Sequence, residues 1–182
     1  VGHCRLLSEK KSRCFLNLAS LGMSAEVVRN VNRGRKIFGG RITYHLGVLK
    51  TALSYKQHPI QLKVDQNTVQ SDKTRMIAIA NGRFAGGGMM LAPNSSFQDG
   101  LLDVVIVGEM SGLATLFHST KLYKGKHLAL KQVDVFQGVD IHAEQTAPDQ
   151  GTVYVELDGE EVGQLPARFE ILPRCLPFLM PQ

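Results

Sequence analysis

The sequence lacks the features that mark several common protein classes. Its 182 residues include three cysteines, Cys4, Cys14 and Cys175, with no CxxC spacing. Neither a disulfide framework nor a zinc site is therefore indicated, and we expect reduced thiols in the core. No apolar run approaches the roughly eighteen residues that a membrane helix needs, and no signal peptide is visible. These absences favour a cytoplasmic protein.

Negative charge is missing from one long stretch. Residues 27–64 contain no Asp or Glu, and the whole chain has a net charge of +5. The basic residues of this stretch are Arg29, Arg33, Arg35, Lys36, Arg41, Lys50, Lys56 and Lys63. Such a block suits anionic lipid or nucleotide phosphate, and a solvated helix face is the alternative. Nucleic acid is not expected as a partner, because no aromatic and basic interleaving or binding motif accompanies the charge.

Length and composition predict one domain. A hydrophobic content of 43% is enough for a real core at this length. The chain opens with Val1 in a strand-like run, and we therefore expect it to be a piece of a longer protein.

The distribution of apolar residues predicts a mainly β, α+β domain. Many short strand-like runs alternate with turns, which favours an antiparallel β-sandwich or a flattened barrel with two or three helices. A first helix is predicted to begin at Ser24, and a second to span 41–55. A third, over 112–123, is predicted to pack through Leu113, Leu116, Phe117 and Leu122. Residues 65–73 are predicted to form a polar turn.

The rest of the chain is organised around the glycine-rich segment 81–107, which separates two strand-like runs. Gly86, Gly87 and Gly88 either form a loose loop at a sheet edge or let a ligand approach the backbone. Asp99 and Gly100 predict a tight turn, whose carboxylate and carbonyl oxygens also suit Mg²⁺ or Ca²⁺.

A second Asp-Gly pair, Asp158 and Gly159, predicts a hairpin between two strands. Turn formation accounts for both residues, but it does not account for Glu160 and Glu161. Because side chains alternate along a strand, these two carboxylates should point to opposite faces. One of them can then enter a cleft while the other meets water, and we predict a surface position for Glu161.

These motifs together resemble the lipid kinase family that includes bacterial diacylglycerol kinases and sphingosine kinases. The similarity covers Asn-Gly at 81–82, the glycine triplet, Asp-Gly-Leu-Leu-Asp at 99–103 and Leu-Asp-Gly-Glu at 157–160. Similar runs occur at 15–28 and 125–127. The family has a nucleotide-binding domain with a Gly-Gly-Asp-Gly-Thr motif ahead of the matched region. This chain has no such motif, so it resembles the C-terminal domain only.

The resemblance implies roles for particular residues. Glu160 matches the position of the family's general base, with Asp158 beside it in an orienting or metal-linked role. Ser96, Asp99 and Leu101 match the surroundings of the family's structural Mg²⁺, whereas Asp103 is assigned to the polar face of the following strand. His127 is given no chemical role.

The leading hypothesis is therefore the C-terminal domain of an ATP-dependent lipid kinase that acts on a diacylglycerol-like alcohol. Its implied partners are the lipid, a membrane surface at which it binds peripherally, and its own N-terminal domain, which binds ATP. A homodimer is left open. The alternatives are a non-catalytic module for anionic lipid and a domain of the NAD kinase type. In every case the fragment alone is expected to be inactive as a kinase.

Overall fold

The structure is a computed structural model that describes residues 1–33 and 40–177, without the side chains of 33 and 40–46. In chain order its strands are β1 (Gly2–Leu6), β2 (Lys11–Phe15), β3 (Leu18–Gly22), β4 (His58–Val64), β5 (Asn67–Thr74), β6 (Met76–Ala80), β7 (Phe84–Ala85), β8 (Met89–Met90), β9 (Leu102–Val107), β10 (Val133–Gly138), β11 (Asp140–Gln145), β12 (Tyr154–Leu157), β13 (Glu160–Gln164) and β14 (Ala167–Ile171). The helices are α1 (Met23–Arg33), α2 (Gly40–Ser54) and α3 (Gly112–Leu122), and two short 3-10 helices span Lys126–Ala129 and Pro148–Gln150.

Two large antiparallel sheets pack face to face as a sandwich. Sheet I has the order β2-β1-β14-β11-β4-β5, and sheet II has the order β10-β9-β6-β3-β12-β13. Both sheets are open, so the sandwich alternative is confirmed and the flattened barrel is not formed. Strands β7 and β8 form a separate small hairpin. Among the described residues, no helix is both long and apolar enough to cross a membrane.

The main core lies between the sheets. On β4 the alternation is strict, with Ile60, Leu62 and Val64 buried between the sheets and the intervening residues outside. Strands β3, β6 and β9 are buried on both faces, because a second apolar cluster covers the outer face of sheet II. This double burial explains why β6 and the residues 104–107 of β9 appear in the sequence as unbroken apolar runs.

The helices cover sheet II. Helix α1 packs on β3, β12 and β13, and α2 packs between α1 and α3. The predicted starts and ends are nearly right, although α1 begins at Met23, one residue before the predicted cap. The Ser24 hydroxyl donates to the Leu21 carbonyl instead of accepting a helix N–H.

Helix α3 is placed correctly by the sequence but packed differently. Leu113 and Phe117 are 74% and 77% exposed, and no residue of α3 is fully buried. The prediction that both pack inward was wrong. On α2, Leu49 and Leu53 are also exposed, whereas the remaining apolar residues of its predicted face, Ile42 and Leu46, have side chains outside the described set.

Two other predictions needed correction. The polar turn is confined to residues 65–66, and the polar residues after it form the outer strand β5, which pairs with β4 alone. Polar residues suit a strand at the edge of a sheet, where little is buried. Of the three free cysteines only Cys4 is buried, while Cys14 and Cys175 are exposed.

Candidate active site

The turns singled out in the sequence gather at one end of sheet II. Leu18, at the start of β3, pairs with Ala80, at the end of β6, and Ala80 pairs with Asp103 near the start of β9. On the other side, Leu157 at the end of β12 pairs with Ala19. The Asp99 turn and the Asp158 hairpin therefore lie at the same sheet end, three strand spacings or about 14 Å apart.

Asp158 fastens the hairpin to the chain that enters β3. Its Oδ2 accepts the Leu16 N–H at 2.7 Å, and its Oδ1 accepts those of Asn17 at 3.1 Å and Leu18 at 2.9 Å. Its own N–H donates to the Leu18 carbonyl at 2.9 Å. Because three donors already occupy this carboxylate, the geometry favours the orienting role over the metal-linked one.

Glu160 is the first residue of β13 and lies opposite Leu157. Its side chain is 72% exposed, and its Oε2 accepts from Nη1 of Arg13 at 3.0 Å. Arg13 belongs to β2, so this ion pair joins the edges of the two sheets. The carboxylate is therefore accessible to a substrate and, among the described residues, is paired with the exposed cation of Arg13.

A cavity of about 270 Å³ opens beside this ion pair, between the two sheets. It is lined by Cys4, Leu6, Lys11, Ser12, Arg13, Leu157 and Val162. Burial raises the pKa of the Cys4 thiol to about 12, so this wall stays uncharged at neutral pH. The cavity thus has apolar walls and a polar, cationic side supplied by β2.

Glu161 faces the other way, as the alternation of the strand requires. Its side chain is 22% exposed, and its Oε2 lies 3.8 Å from Nε of Arg29 on α1. The Arg29 guanidinium also stacks over the Tyr154 ring at 4.1 Å. The predicted opposite orientation of the two glutamates is correct, but Glu161 is the more buried of the two rather than a surface carboxylate.

Sequence reasoning missed a third carboxylate, Glu156. It lies directly opposite Glu161, under α1, and is 4% exposed. It accepts hydrogen bonds from the Ser20 hydroxyl and the Gly159 N–H. Burial raises its pKa, although both hydrogen bonds act in the opposite direction. The sequence shows only a polar residue on the outer face of β12, with no sign that a helix covers that face.

Asp103 is also buried, at 2% exposure, which contradicts its assignment to a polar face. Its Oδ1 accepts from Nε2 of Gln137 at 3.1 Å, while its Oδ2 has no partner among the described residues. The position lies on the outer face of sheet II, which the segment after β6 and the region around α3 cover.

The predicted metal ligands Ser96, Asp99 and Leu101 can offer only oxygen atoms to an ion. Asp99 Oδ1 accepts the Leu101 N–H at 2.9 Å, and Ser96 Oγ accepts the Gln98 N–H at 3.3 Å. Asp99 is exposed. Within the described part of the chain, no three His, Cys, Asp or Glu side chains come together as a metal cluster. One carboxylate with hydroxyl and carbonyl oxygens fits Mg²⁺, which binds few protein ligands and keeps several waters.

The glycine triplet forms the turn of the β7–β8 hairpin. Gly86, Gly87 and Gly88 have φ values of 51°, 79° and 96°. A Cβ at Gly87 or Gly88 would touch nothing within 4 Å, so glycine serves the backbone conformation there rather than a close approach. The loop alternative therefore accounts for the triplet.

The Asn-Gly pair that precedes the triplet is tied to the site. Asn81 Nδ2 donates to the Leu16 carbonyl at 2.7 Å, and its backbone N–H donates to the Asn17 carbonyl at 2.9 Å. The residues that Asp158 holds from one side are thus held by Asn81 from the other. His127 is structural: it is 3% exposed, contacts the Leu91 carbonyl through Nε2, and has its pKa lowered by burial.

Comparison with known proteins shows the family to which this fold belongs. The family model described as "YegS C-terminal NAD kinase beta sandwich-like domain" matches residues 17–180. The chain belongs to this family. The resemblance recognised in the sequence is thereby confirmed, together with the fold class.

Relatives and solved structures bear lipid kinase names. The chain is 31% identical over 169 residues to a "Probable lipid kinase YegS-like" of Shewanella frigidimarina, and 28% identical over 169 residues to a "Diacylglycerol kinase" of Mycobacterium tuberculosis. Both matches cover 92% of this chain and 52% of the relative. The crystal structure of a "putative diacylglycerol kinase" from Bacillus anthracis matches with a TM-score of 0.63 and 25% identity, over 94% of this chain and 53% of that one. The chain thus spans about half the length of these proteins.

Proposed function

We propose that this chain is the acceptor-side domain of an ATP-dependent lipid kinase that phosphorylates the hydroxyl of a diacylglycerol-like lipid. The observation that carries the proposal is the placement of Glu160. Its accessible carboxylate follows a hairpin that Asp158 fastens to β3, at the sheet end where the Asp99 turn also lies. Membership in a family whose relatives are named lipid kinases supports the substrate class.

In this proposal Glu160 is the general base. Its carboxylate takes the proton of the lipid hydroxyl while that oxygen bonds to the γ-phosphorus of ATP and the bond to the bridging oxygen of the β-phosphate breaks. The products are a phosphorylated lipid and ADP, and the proton remains on Glu160 until water removes it. Arg13 holds the carboxylate at the mouth of the cleft before the lipid arrives.

Other parts of the site have supporting roles. Oxygens of Ser96, Asp99 and Leu101 would hold Mg²⁺, which would order the loop before β9 and offset negative charge near the phosphates. ATP itself would be bound mainly by a nucleotide-binding domain N-terminal to this one, in the half of the relatives' length that the chain does not span. That domain would therefore be a partner of this chain.

Peripheral contact with a membrane is the remaining part of the proposal. Leu49 and Leu53 on α2 and Leu113 and Phe117 on α3 are large apolar side chains that are 42–77% exposed on two helices in contact. Neither helix contains Asp or Glu. An apolar, acid-free surface suits an anionic lipid bilayer. Within the acid-free stretch 27–64, the basic segment 29–41 is also predicted to bind anionic lipid, but its residues 34–39 and the side chains of 33, 40 and 41 lie outside the described set.

The function is tested by activity assays on two forms of the protein. A longer form that includes the upstream domain is expected to transfer the γ-phosphate of ATP to diacylglycerol in mixed vesicles, whereas the present chain alone is not. Transfer by the present chain alone would contradict the division between the domains. Failure of the longer form with every lipid alcohol tested would contradict the function itself.

A further inference from the structure

Glu156 is an unusual residue for its location. It is a carboxylic acid at 4% exposure on β12, under helix α1. The hairpin that follows does not need it for closure, because Leu157 and Glu160 already pair across a two-residue Asp-Gly turn. Asp158 also binds that turn to the start of β3. The carboxyl of Glu156 therefore adds a contact that the fold alone does not require.

Burying a carboxyl group is unfavourable unless its hydrogen-bonding groups are satisfied, and an apolar side chain of similar size often stabilises such a site better. Natural proteins accept this kind of cost most often at functional sites. The outer face of β12 meets α1, where a leucine would pack without any desolvation of charge. The presence of Glu156 here therefore indicates a task other than stability.

The contacts of Glu156 show what that task is. One carboxyl oxygen accepts the N–H of Gly159, the residue immediately before Glu160, and the other accepts the hydroxyl of Ser20 on β3. Ser20 is fully buried, in a strand that is buried on both faces. Glu156 thus links the second turn residue to β3, the neighbouring strand of sheet II, which is buried on both faces.

We propose that Glu156 is a positioning residue that holds Gly159, and through it Glu160, in a fixed position relative to β3. The proposal rests on the proposed function. Asp158 holds the first turn residue in place through its hydrogen bonds to β3 and to the residues just before β3. Glu156 holds the second turn residue and is itself hydrogen-bonded to β3. With both contacts in place, the hairpin presents the Glu160 carboxylate in one orientation.

Glu156 acts through Glu160 and does not touch the substrate. It is buried under α1, on the opposite face of the sheet from Glu160, whose side chain is 72% exposed. A lipid hydroxyl at Glu160 therefore cannot reach the Glu156 carboxyl without displacing α1. What Glu156 controls is geometry, and a misplacement of about 1 Å at a catalytic group can lower the rate about 100-fold.

The test compares Glu156→Gln with Glu156→Leu. The glutamine oxygen can still accept from Gly159 and its amide can donate to Ser20, whereas leucine fills the space and makes neither bond. In the longer form of the protein we expect Glu156→Gln to keep kcat within about 3-fold, and Glu156→Leu to lower kcat about 10- to 100-fold with lipid KM little changed. The control is Thr74→Val, which changes a buried polar residue of β5 in the other sheet and should leave kcat unchanged.

A second readout needs no activity. In the present chain, exchange of the Gly159 amide hydrogen should be faster in Glu156→Leu than in wild type and Glu156→Gln. Ser20→Ala leaves Glu156 bonded to Gly159 only and should give a smaller increase in the exchange rate of the Gly159 amide. If the leucine variant does not fold, Ser20→Ala is measured in its place. Unchanged exchange in the leucine variant, or in Ser20→Ala where it stands in, would overturn the proposal.

The kinetic results separate the alternatives. If Glu156→Gln loses as much kcat as Glu160→Gln, the Glu156 carboxyl takes part in proton transfer and the positioning role is wrong. If Glu156→Leu speeds exchange at Gly159 but keeps kcat, the contact is structural only and the proposal also fails. If the wild-type longer form has no lipid kinase activity, the proposed function fails, while amide exchange still shows whether Glu156 holds the turn.

Discussion

Glu160 and Arg13 form an ion pair of 3.0 Å between the edges of the two sheets, although 147 positions separate them in the sequence. The contact arises because β2 and β13 are both edge strands, at the same side of the sandwich. An exposed pair of this kind contributes little to stability. Its consequence is that the Glu160 carboxylate is accessible to solvent and held against Arg13, which lines the cavity between the sheets.

We predict that Glu160→Gln in the longer form lowers kcat about 10²- to 10⁴-fold with lipid KM little changed, because glutamine keeps the size but cannot accept the proton. The measurement is phosphoryl transfer from labelled ATP to diacylglycerol vesicles.

A suitable control is Glu109→Gln. Glu109 is a similarly exposed carboxylate, 67% accessible and paired with Lys73, after the far end of β9. Glu161 is a poorer control because it contacts Arg29 and is mostly buried. Equal activity in Glu160→Gln and Glu109→Gln would remove Glu160 from the chemistry.

Asp158 should matter for stability as well as for activity. It has a φ of 48°, a conformation that Asn and Gly tolerate better than Ala. We predict that Asp158→Ala lowers the free energy of unfolding by about 1–3 kcal/mol, because it loses three hydrogen bonds to a charged acceptor and adds backbone strain.

Three substitutions at Asp158 should lower the free energy of unfolding by different amounts. Asp158→Asn keeps one acceptor and the backbone conformation and should lose least, while Asp158→Gly, which loses the acceptors without strain, should lie between. Urea unfolding of the present chain measures all three. An alanine variant as stable as wild type would show that the three N–H bonds contribute nothing to the fold.

The sequence predicted the elements of this fold better than their environments. The runs that became β6 and β9 were recognised because double burial makes both strands predominantly apolar. Helix α3 was also placed correctly, but its apolar residues were assumed to face inward, and Leu113 and Phe117 face outward. Periodicity identifies a helix face and cannot say what that face meets.

In the candidate site, too, the sequence predicted residues better than it predicted their environments. Glu160 and Asp158 were predicted from a local motif together with a family resemblance, and the structure gives them a hairpin and partners. Glu156 was missed and Asp103 was assigned to the wrong environment, because elements distant in the chain bury both carboxylates. A carboxylate in a strand is unremarkable until a helix or loop covers it.

Glu156 should make stability depend on pH. Burial raises its pKa, so the folded state holds the proton more tightly than the unfolded state does. The stabilising contribution of the protonated form is complete below the ordinary glutamate pKa and is lost as pH rises through the raised value. We therefore predict that Glu156→Gln becomes more stable relative to wild type as pH increases across that window.

Melting temperatures of both proteins between about pH 4 and pH 8 measure this difference. Thr74→Val, a buried substitution that changes no ionisable group, should show no comparable trend. A Glu156→Gln protein that loses stability relative to wild type as pH rises would mean that the carboxylate is charged and well satisfied in the fold.

Mg²⁺ should raise the melting temperature of the present chain through the Asp99 loop, because a ligand that binds only the native state stabilises it by mass action. Asp99→Ala should abolish the rise, whereas Asp72→Ala, which removes an exposed carboxylate from β5, should keep it. A melting curve that Mg²⁺ leaves unmoved in wild type and in Asp99→Ala alike would show that the loop does not bind the ion under these conditions.

The apolar surface of α2 and α3 should bind membranes. We predict that Leu113→Ser with Phe117→Ser weakens binding to vesicles rich in anionic lipid about 10²- to 10⁴-fold, since burying each of the two side chains contributes about 1.5–3 kcal/mol. Charge reversal at Arg33, Arg35 and Lys36 tests the predicted basic segment, where each residue should contribute about 1 kcal/mol. The control is Val139→Ser, which removes an exposed apolar side chain between β10 and β11.

Co-sedimentation with anionic and neutral vesicles at two salt concentrations separates the apolar and the electrostatic contributions to binding, because salt weakens only the electrostatic one. Binding that neither the helix pair nor the charge reversal changes would place the membrane contact elsewhere on the protein.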